Sequence, residues 1–230
     1  MSQDPLSDAK IVDSWRKNAD PWTSAIRENQ IESRTLVTNA AIVDAVLSRS
    51  PHTMLDIGCG EGWLVRALAK HGIRGVGIDV VPELVAQATR AGDGDFRVAS
   101  YEDVAAGRLD VSVDIAVANF SLIGKESVDN LVAALHRLLA PRGSLVIQTP
   151  HPLTSSHDGG ELSYADGWRP GSWAGFSEAF RDPAPWYFRT LESWVSLLIR
   201  SKWRLREVRE PLHPVSKRPS SVIFIAETAG

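Results

Sequence analysis

The sequence predicts an α/β fold, a doubly wound and mostly parallel sheet with helices on both faces. Three observations carry this reading. Short apolar runs alternate with stretches of helical period, glycines cluster where the first run hands over to a helix, and the fourth run is continuously apolar, as in a strand buried on both faces. An apolar stripe over residues 28–47, with Ile31, Ile42, Val43, Val46 and Leu47 at helical spacing, predicts a leading helix closed by Ser50-Pro51. Residues 53–57 form the first strand; Gly58, Gly60 and Gly62 close it, and Trp63, Leu64, Val65 and Leu68 restart a helical period that stops at His71-Gly72. The cycle repeats. Residues 75–78 give a second strand ending at Asp79, and Pro82 opens a helix with Leu84, Val85 and Ala88 on one face. Further strands are expected at 96–99, 114–118 and 144–149, with a helix at 128–139 before the turn Pro141-Arg142-Gly143. From Pro150 to about Pro185 there is no period, which predicts an irregular insertion rich in Gly, Pro, Ser and aromatics. A helix at 191–201 and strands at 203–208 and 221–226, the latter two expected to pair as an edge hairpin, complete the chain.

Composition narrows the function. The 230 residues are 43% hydrophobic and 23% charged, ordinary values for one globular domain, and no stretch reaches the ~20 apolar residues of a membrane-spanning helix. Residues 1–10 are polar and carry Asp4 and Asp8, unlike the apolar centre of a secretory signal, so a cytoplasmic location is expected. The one cysteine, Cys59, allows no internal disulfide and leaves too few soft ligands for a metal cluster; no metal is expected. A net charge of −3 disfavours a broad nucleic-acid surface and points to a small-molecule partner, with the basic positions after Arg181 read as a solvated face.

The chemistry concentrates in Leu55-Asp56-Ile57-Gly58-Cys59-Gly60-Glu61-Gly62, at the carboxyl end of the first strand, where open α/β sheets bind ligands. A dinucleotide fingerprint requires G-x-G-x-x-G; here the spacing is G-x-G-x-G, with Trp63 and Leu64 beyond it, so no pyrophosphate is implied. Asp79 ends the second strand ~20 residues past the first glycine, the position from which a carboxylate grips a ribose diol. Together these features predict a nucleoside ligand with an uncharged or cationic linkage.

On these motifs residues 54–149 resemble the class I S-adenosylmethionine-dependent methyltransferases, and Arg189-Thr190-Leu191 and Glu210-Pro211 are similar to the tail of small-molecule enzymes of quinone biosynthesis. The resemblance implies a Rossmann-like seven-stranded sheet with an antiparallel last strand. It implies S-adenosylmethionine as cofactor and methyl transfer to a small acceptor. By the same resemblance Asp56, Gly58, Cys59, Gly60 and Gly62 face the methionyl part, Asp79 and Val80 the ribose, and Ser100, Tyr101 and Glu102 the adenine. Many relatives carry Asp where Ser100 stands, so Glu102 or a backbone carbonyl would take the contact to the adenine amine. Asn119 and Phe120 would lie beside the sulfonium and Ser121 beside the acceptor; the absence of N-P-P-Y disfavours methylation of DNA adenine.

Other residues carry paired readings. His151 is the candidate general base just past the fifth strand, or a turn histidine between prolines. Arg34 or Arg27 would clamp the cofactor's carboxylate, or be ordinary surface residues. Tyr164, Trp168, Trp173, Phe176, Trp186 and Tyr187 line an acceptor pocket or pack the insertion on the sheet, and Trp15 and Trp22 close over the site or anchor the terminus. Cys59 reads as a small loop residue rather than a nucleophile. The expected organisation is a helical cap over 1–50 and a catalytic domain over 51–230 with the aromatic insertion at about 151–187. Two other function classes stay open: a nicotinamide-dependent oxidoreductase, and a non-catalytic S-adenosylmethionine-binding protein.

Overall fold

The computed structural model describes residues 4–155, 157–158 and 161–228. Residues 1–3 of the polar start and 156, 159 and 160 of the expected insertion lie outside the described residues. The strands are β1 (Thr53–Ile57), β2 (Arg74–Asp79), β3 (Asp95–Val98), β4 (Val113–Asn119), β5 (Leu139–Pro150), β6 (His157–Asp158), β7 (Glu161–Leu162), β8 (Gly167–Arg169), β9 (Trp186–Phe188), β10 (Trp203–Arg209) and β11 (Ser221–Thr228). The helices are α1 (Asp8–Lys17), α2 (Ala19–Arg27), α3 (Asn39–Leu47), α4 (Trp63–Ala69), α5 (Pro82–Ala91), α6 (Tyr101–Ala105), α7 (Glu126–Ala134) and α8 (Leu191–Arg200).

One seven-stranded sheet runs in the order β10-β11-β5-β4-β1-β2-β3. Strands β3, β2, β1, β4 and β5 pair in parallel, while β11 is antiparallel to both of its neighbours, β5 and β10. The chain winds outward from β1 to β3 and then returns to β4, so the switch point lies at the carboxyl ends of β1 and β4. Each face carries its own core. Leu55, Ile57, Ala116, Leu145 and Phe224 meet Val104, Leu131 and Leu197 of α6, α7 and α8. Met54, Ile115, Val117, Val146 and Ile223 meet Ile42, Val46, Leu64 and Leu68 of α3 and α4, and α5 packs on β2 and β3. Burying each such Leu or Ile is worth about 1.5–3 kcal/mol, which makes the sheet a rigid base for the loops at its edge.

The expected leading helix is broken. Its first part is a π-helical turn, Arg34–Thr38, followed by α3, and two further helices precede it. Asn29 sits at φ 55 and separates them. Helix α1 buries only Ile11 and Ser14, too short an apolar stripe to stand out in the sequence. The helix expected to reach 139 ends at Ala134 and tightens into a 3-10 turn, Leu135–Leu138. Strand β5 begins at Leu139, ahead of the expected turn, with Arg142 at φ 64 and a register shift against β4 between Val113 and Ile115. The irregular stretch holds two small hairpins, β6-β7 and β8-β9.

Candidate active site

A cavity of about 310 Å³ opens at the carboxyl edge of β1, β2 and β4, between the sheet and helices α1 and α2. Its floor is the glycine turn. At Gly58 (φ +69) an added Cβ would stand 2.5 Å from Ser121 Cβ, and at Gly62 (φ +82) 2.7 Å from Phe96 Cε1, so both torsion and space require glycine. The N–H groups of Gly58 and Cys59 donate to the Ile78 carbonyl at 2.8 and 2.9 Å, which pins the turn to β2. Asp79 completes it: Oδ2 accepts from the Gly60 N–H and Oδ1 from the Val81 N–H, both at 2.9 Å. A carboxylate offers roughly four lone-pair sites, so Asp79 retains acceptor capacity toward the cavity it lines. Burial pushes its carboxyl above the usual carboxylate range, and the backbone donors oppose that shift.

Behind the turn sits a buried charge cluster. Burial, then the neighbouring Asp79, pushes the Asp56 carboxyl up to about 7, against the pull of Arg34. The Arg34 guanidinium lies over the rings of Trp63 and Trp22, 5.1 and 5.6 Å from their centroids, and its Nε has no hydrogen-bond partner. Burial pulls it down to about 10 despite Asp56 and Glu61. Glu61 is buried and accepts from Arg66 Nη2 at 2.6 Å and Arg27 Nε at 3.0 Å. Of the two candidate clamps, Arg27 is therefore committed within the protein and Arg34 keeps a donor unused. Burial pushes the Cys59 thiol well up, which leaves it a packing residue.

The ends of β3 and β4 form the next wall. Ser100 Oγ accepts from the Asp103 N–H at 3.1 Å while the Asp103 carboxylate accepts from the Ser100 N–H at 2.8 Å, a capping box that commits the Ser100 hydroxyl to starting α6. Tyr101 donates its hydroxyl to the Ser121 carbonyl at 3.0 Å, and burial pushes the phenol up. Phe120 adopts φ 57, unusual for a bulky residue, and its N–H donates to the Gln148 carbonyl at 2.8 Å. That bend turns the chain along the cavity, beside the unpartnered Oδ1 of Asn119.

The roof comes from residues the sequence reading named only in part. Asp8, Ala9, Ile11, Val12 and Trp15 of α1 and Trp22 of α2 line the cavity, so both tryptophans face the site. The Asp8 carboxylate accepts from the N–H groups of Lys125 and Ser127, both at 2.8 Å, and so latches α1 to the start of α7. Arg189, also buried, holds the same loop by donating to the carbonyls of Gly124 and Lys125 at 2.8 and 3.1 Å. The serine N-cap at Ser7 ahead of Asp8 was the available signal for this helix.

Of the predicted site residues, Gly58, Gly60, Asp79, Val80, Ser100, Tyr101, Glu102, Asn119, Phe120 and Ser121 line the one cavity. Asp56, Cys59, Gly62 and Arg34 stand behind its wall. His151 is not brought there. It is fully buried, its Nε2 lies 2.7 Å from Glu210 Oε1, and its Nδ1 accepts from the Leu153 N–H at 3.2 Å, so both nitrogens hold the turn after β5. Nor do the insertion aromatics reach the cavity. Trp168 packs on Tyr187, Tyr164 and Trp186 pack on Phe188, and Trp173 packs on Trp15, Phe176 and Phe180. These contacts, edge-to-face except for the tilted Trp173–Phe180 pair, fit the packing alternative. Among the described residues no group of His, Cys, Asp and Glu could hold a metal ion.

Residues 55–147 match the family described as a methyltransferase domain. An uncharacterized protein of Haemophilus influenzae is 21% identical over 211 residues, covering 81% of each chain. The ubiquinone biosynthesis O-methyltransferase of Xanthomonas oryzae pv. oryzae is 35% identical over 112 residues, so the match spans only 46% of that enzyme's length and 46% of this chain. In fold, the chain is similar to an S-adenosylmethionine-dependent methyltransferase of Mesorhizobium loti (TM-score 0.64, 23% identity, covering 80% of this chain and 96% of that one). It is also similar to the magnesium protoporphyrin IX methyltransferase of Synechocystis PCC 6803, solved with S-adenosylhomocysteine (TM-score 0.68, 17% identity, covering 97% and 100%). Residues 55–147 thus carry the match to a methyltransferase domain, and the chain shares the fold of S-adenosylmethionine-dependent methyltransferases.

Proposed function

We propose that this protein transfers a methyl group from S-adenosylmethionine to a small-molecule acceptor, and that the residues gathered around the cavity hold the cofactor. The observation that carries the reading is Asp79, fixed by two backbone donors yet open to the cavity beside the glycine turn. The donor set fits the cofactor's chemistry. Asp79 suits the ribose hydroxyls, the orphaned Oδ1 of Asn119 suits an ammonium group, and the orphaned Nε of Arg34 suits a carboxylate. With Ser100 occupied as a cap, Glu102 and backbone groups are left for the adenine amine.

When bound, S-adenosylmethionine supplies a methyl group already activated by a positive sulfur. The chain's own part is to position and to exclude water. Holding an acceptor in line at near-attack distance can supply ~7–11 kcal/mol of the barrier. Trp15, Trp22, Ile11 and Val12 form an apolar roof that keeps water away, and Phe120 and Ser121 bound the side toward the acceptor. His151 takes no proton in this scheme, because both of its nitrogens are engaged.

The reading extends to a cap formed by residues 1–50 over a catalytic domain of residues 51–230, acting in the cytoplasm on small molecules rather than nucleic acid. A net charge of −3 and the likeness to enzymes named for ubiquinone biosynthesis support it. No helix among the described residues is long and apolar enough to cross a membrane. The test is a radiolabelled methyl-transfer assay over phenols, amines, carboxylic acids and thiols, run beside a titration with S-adenosylhomocysteine. Binding with transfer to at least one panel member is expected. Binding without any transfer would leave a cofactor-binding protein, and no binding would overturn the reading.

A further inference from the structure

Glu61 is the one charged residue in the turn Gly58-Cys59-Gly60-Glu61-Gly62, and it is buried, where a carboxylate is costly unless paired. Gly60 (φ +56) and Gly62 (φ +82) flank it in the left-handed region; Gly58 and Gly60 line the cavity, whereas Glu61 lies behind it. Arg66 of α4 donates through Nη2 to both carboxylate oxygens, at 2.7 and 2.6 Å, and through Nη1 to the Glu61 carbonyl at 2.6 Å. This contact pairs the carboxylate within its own strand-turn-helix unit. Arg27 of α2 adds a second contact from outside that unit, Nε to Oε2 at 3.0 Å. A buried ion pair is a weak stabiliser, because desolvation offsets most of the attraction; its better-attested use is to fix how two elements sit against each other.

What Arg27 fixes is α2, which carries Trp22. A Cβ added at Gly60 would lie 3.4 Å from Trp22 Nε1, so the indole rests on the glycine turn while also lining the cavity. On its other side α2 is tied to α5, the helix that follows Asp79. Thr23 Oγ1 donates to Gln87 Oε1, Gln87 Nε2 donates to Asp20 Oδ1 at 2.6 Å, and Arg27 Nη2 donates to the Gln87 carbonyl at 3.2 Å. Arg27 therefore reaches both α5 and the glycine turn. We propose that Glu61 is a positioning residue that, through Arg27, seats α2 so that Trp22 closes on Gly60 over the bound cofactor. Its effect on cofactor retention runs through Trp22. This rests on the methyl-transfer reading and adds to it the residue that holds the roof on the turn. With the tie cut, α2 opens at lower cost and ligand leaves faster from a protein that is still folded.

The test measures stopped-flow release of S-adenosylhomocysteine, with melting temperature alongside, for the full chain as wild type, Arg27→Met, Glu61→Gln, Trp22→Leu, and Trp22→Leu combined with Arg27→Met. Arg27→Met keeps much of the aliphatic stem and leaves Glu61 paired with Arg66, and the Arg27 side chain is 46% exposed, so the fold is expected to hold. Release is expected to be about tenfold faster in Arg27→Met and in Glu61→Gln, the effect of one charge-assisted hydrogen bond. Adding Arg27→Met to Trp22→Leu is expected to change release by no more than about twofold, because the two act in series. A role in stability alone would lower the melting temperature and leave release unchanged. Release by Arg27→Met within about twofold of wild type overturns the proposal, as does a tenfold acceleration that persists in the Trp22→Leu background. If Glu61→Gln does not fold, Arg27→Met decides. Failure of the wild type to bind S-adenosylhomocysteine at all refutes the methyl-transfer reading instead, and is thereby distinguished.

Discussion

Replacing Asp79 with Asn tests the carboxylate at the centre of the site. The side chain keeps its size but loses its charge and one of its two oxygens. In the native turn Oδ1 and Oδ2 each accept a backbone N–H, from Val81 and Gly60. An amide can accept only one of these, and its NH2 group would face the other donor. A hydrogen bond to a charged group contributes about 1.5–3 kcal/mol. Loss of one such bond to a bound ribose hydroxyl therefore weakens S-adenosylhomocysteine by roughly 10- to 150-fold. The turn itself should lose about 1–3 kcal/mol of stability from the opposed donors. Calorimetric titration with S-adenosylhomocysteine, with circular dichroism melting alongside, separates the two effects. A dissociation constant within twofold of wild type, in a variant that still unfolds cooperatively, would refute the assignment of Asp79.

Three further outcomes are expected. The Asp56 carboxyl lies at about 7 in the fold against 3.8 in the free group, so the native state holds its proton more tightly than the unfolded chain. Its contribution to stability therefore falls as pH rises from about 4 to about 7 and levels off above; Asp56→Asn should raise the melting temperature most above pH 7, and an equal shift at pH 4 and pH 8 would contradict this. Asp8→Ala removes the acceptor of two backbone N–H groups at the start of α7 and should cost about 0.5–2 kcal/mol while speeding release of S-adenosylhomocysteine in stopped flow. Unaltered release would show that α1 does not cover the ligand. His151→Ala should lower stability by about 1–3 kcal/mol through the lost partners of Glu210 and the Leu153 N–H, yet leave S-adenosylhomocysteine affinity within twofold; a tenfold weaker affinity would place His151 in the site after all.

Much of the sheet was legible because strands buried on both faces and glycines at a strand-to-helix turn leave local signals. Asp79 was readable at the end of a strand with alternating glycines that closes on a carboxylate, and the cavity-lining stretch Asn119-Phe120-Ser121 was readable as the continuation of β4. The roof was less legible. Helix α1 buries little apolar surface, and its role rests on Asp8 reaching residues more than a hundred positions away, a contact no local pattern encodes. The insertion left two readings open. Six aromatics in one irregular stretch suggest a ligand pocket, but tryptophan and tyrosine bury enough area to serve equally as a small core, and here they pack on Phe188, Phe180 and Trp15.

The most direct test is a crystal structure of the protein with S-adenosylhomocysteine. We expect the ligand along the carboxyl edge of β1, β2 and β4 under Trp15 and Trp22, its ribose hydroxyls within hydrogen-bonding distance of Asp79 and its amino-acid end toward Asn119 and Arg34. Ligand bound elsewhere, or an Asp79 that contacts only backbone while the ligand occupies the crevice, would contradict the placement on which the functional reading rests.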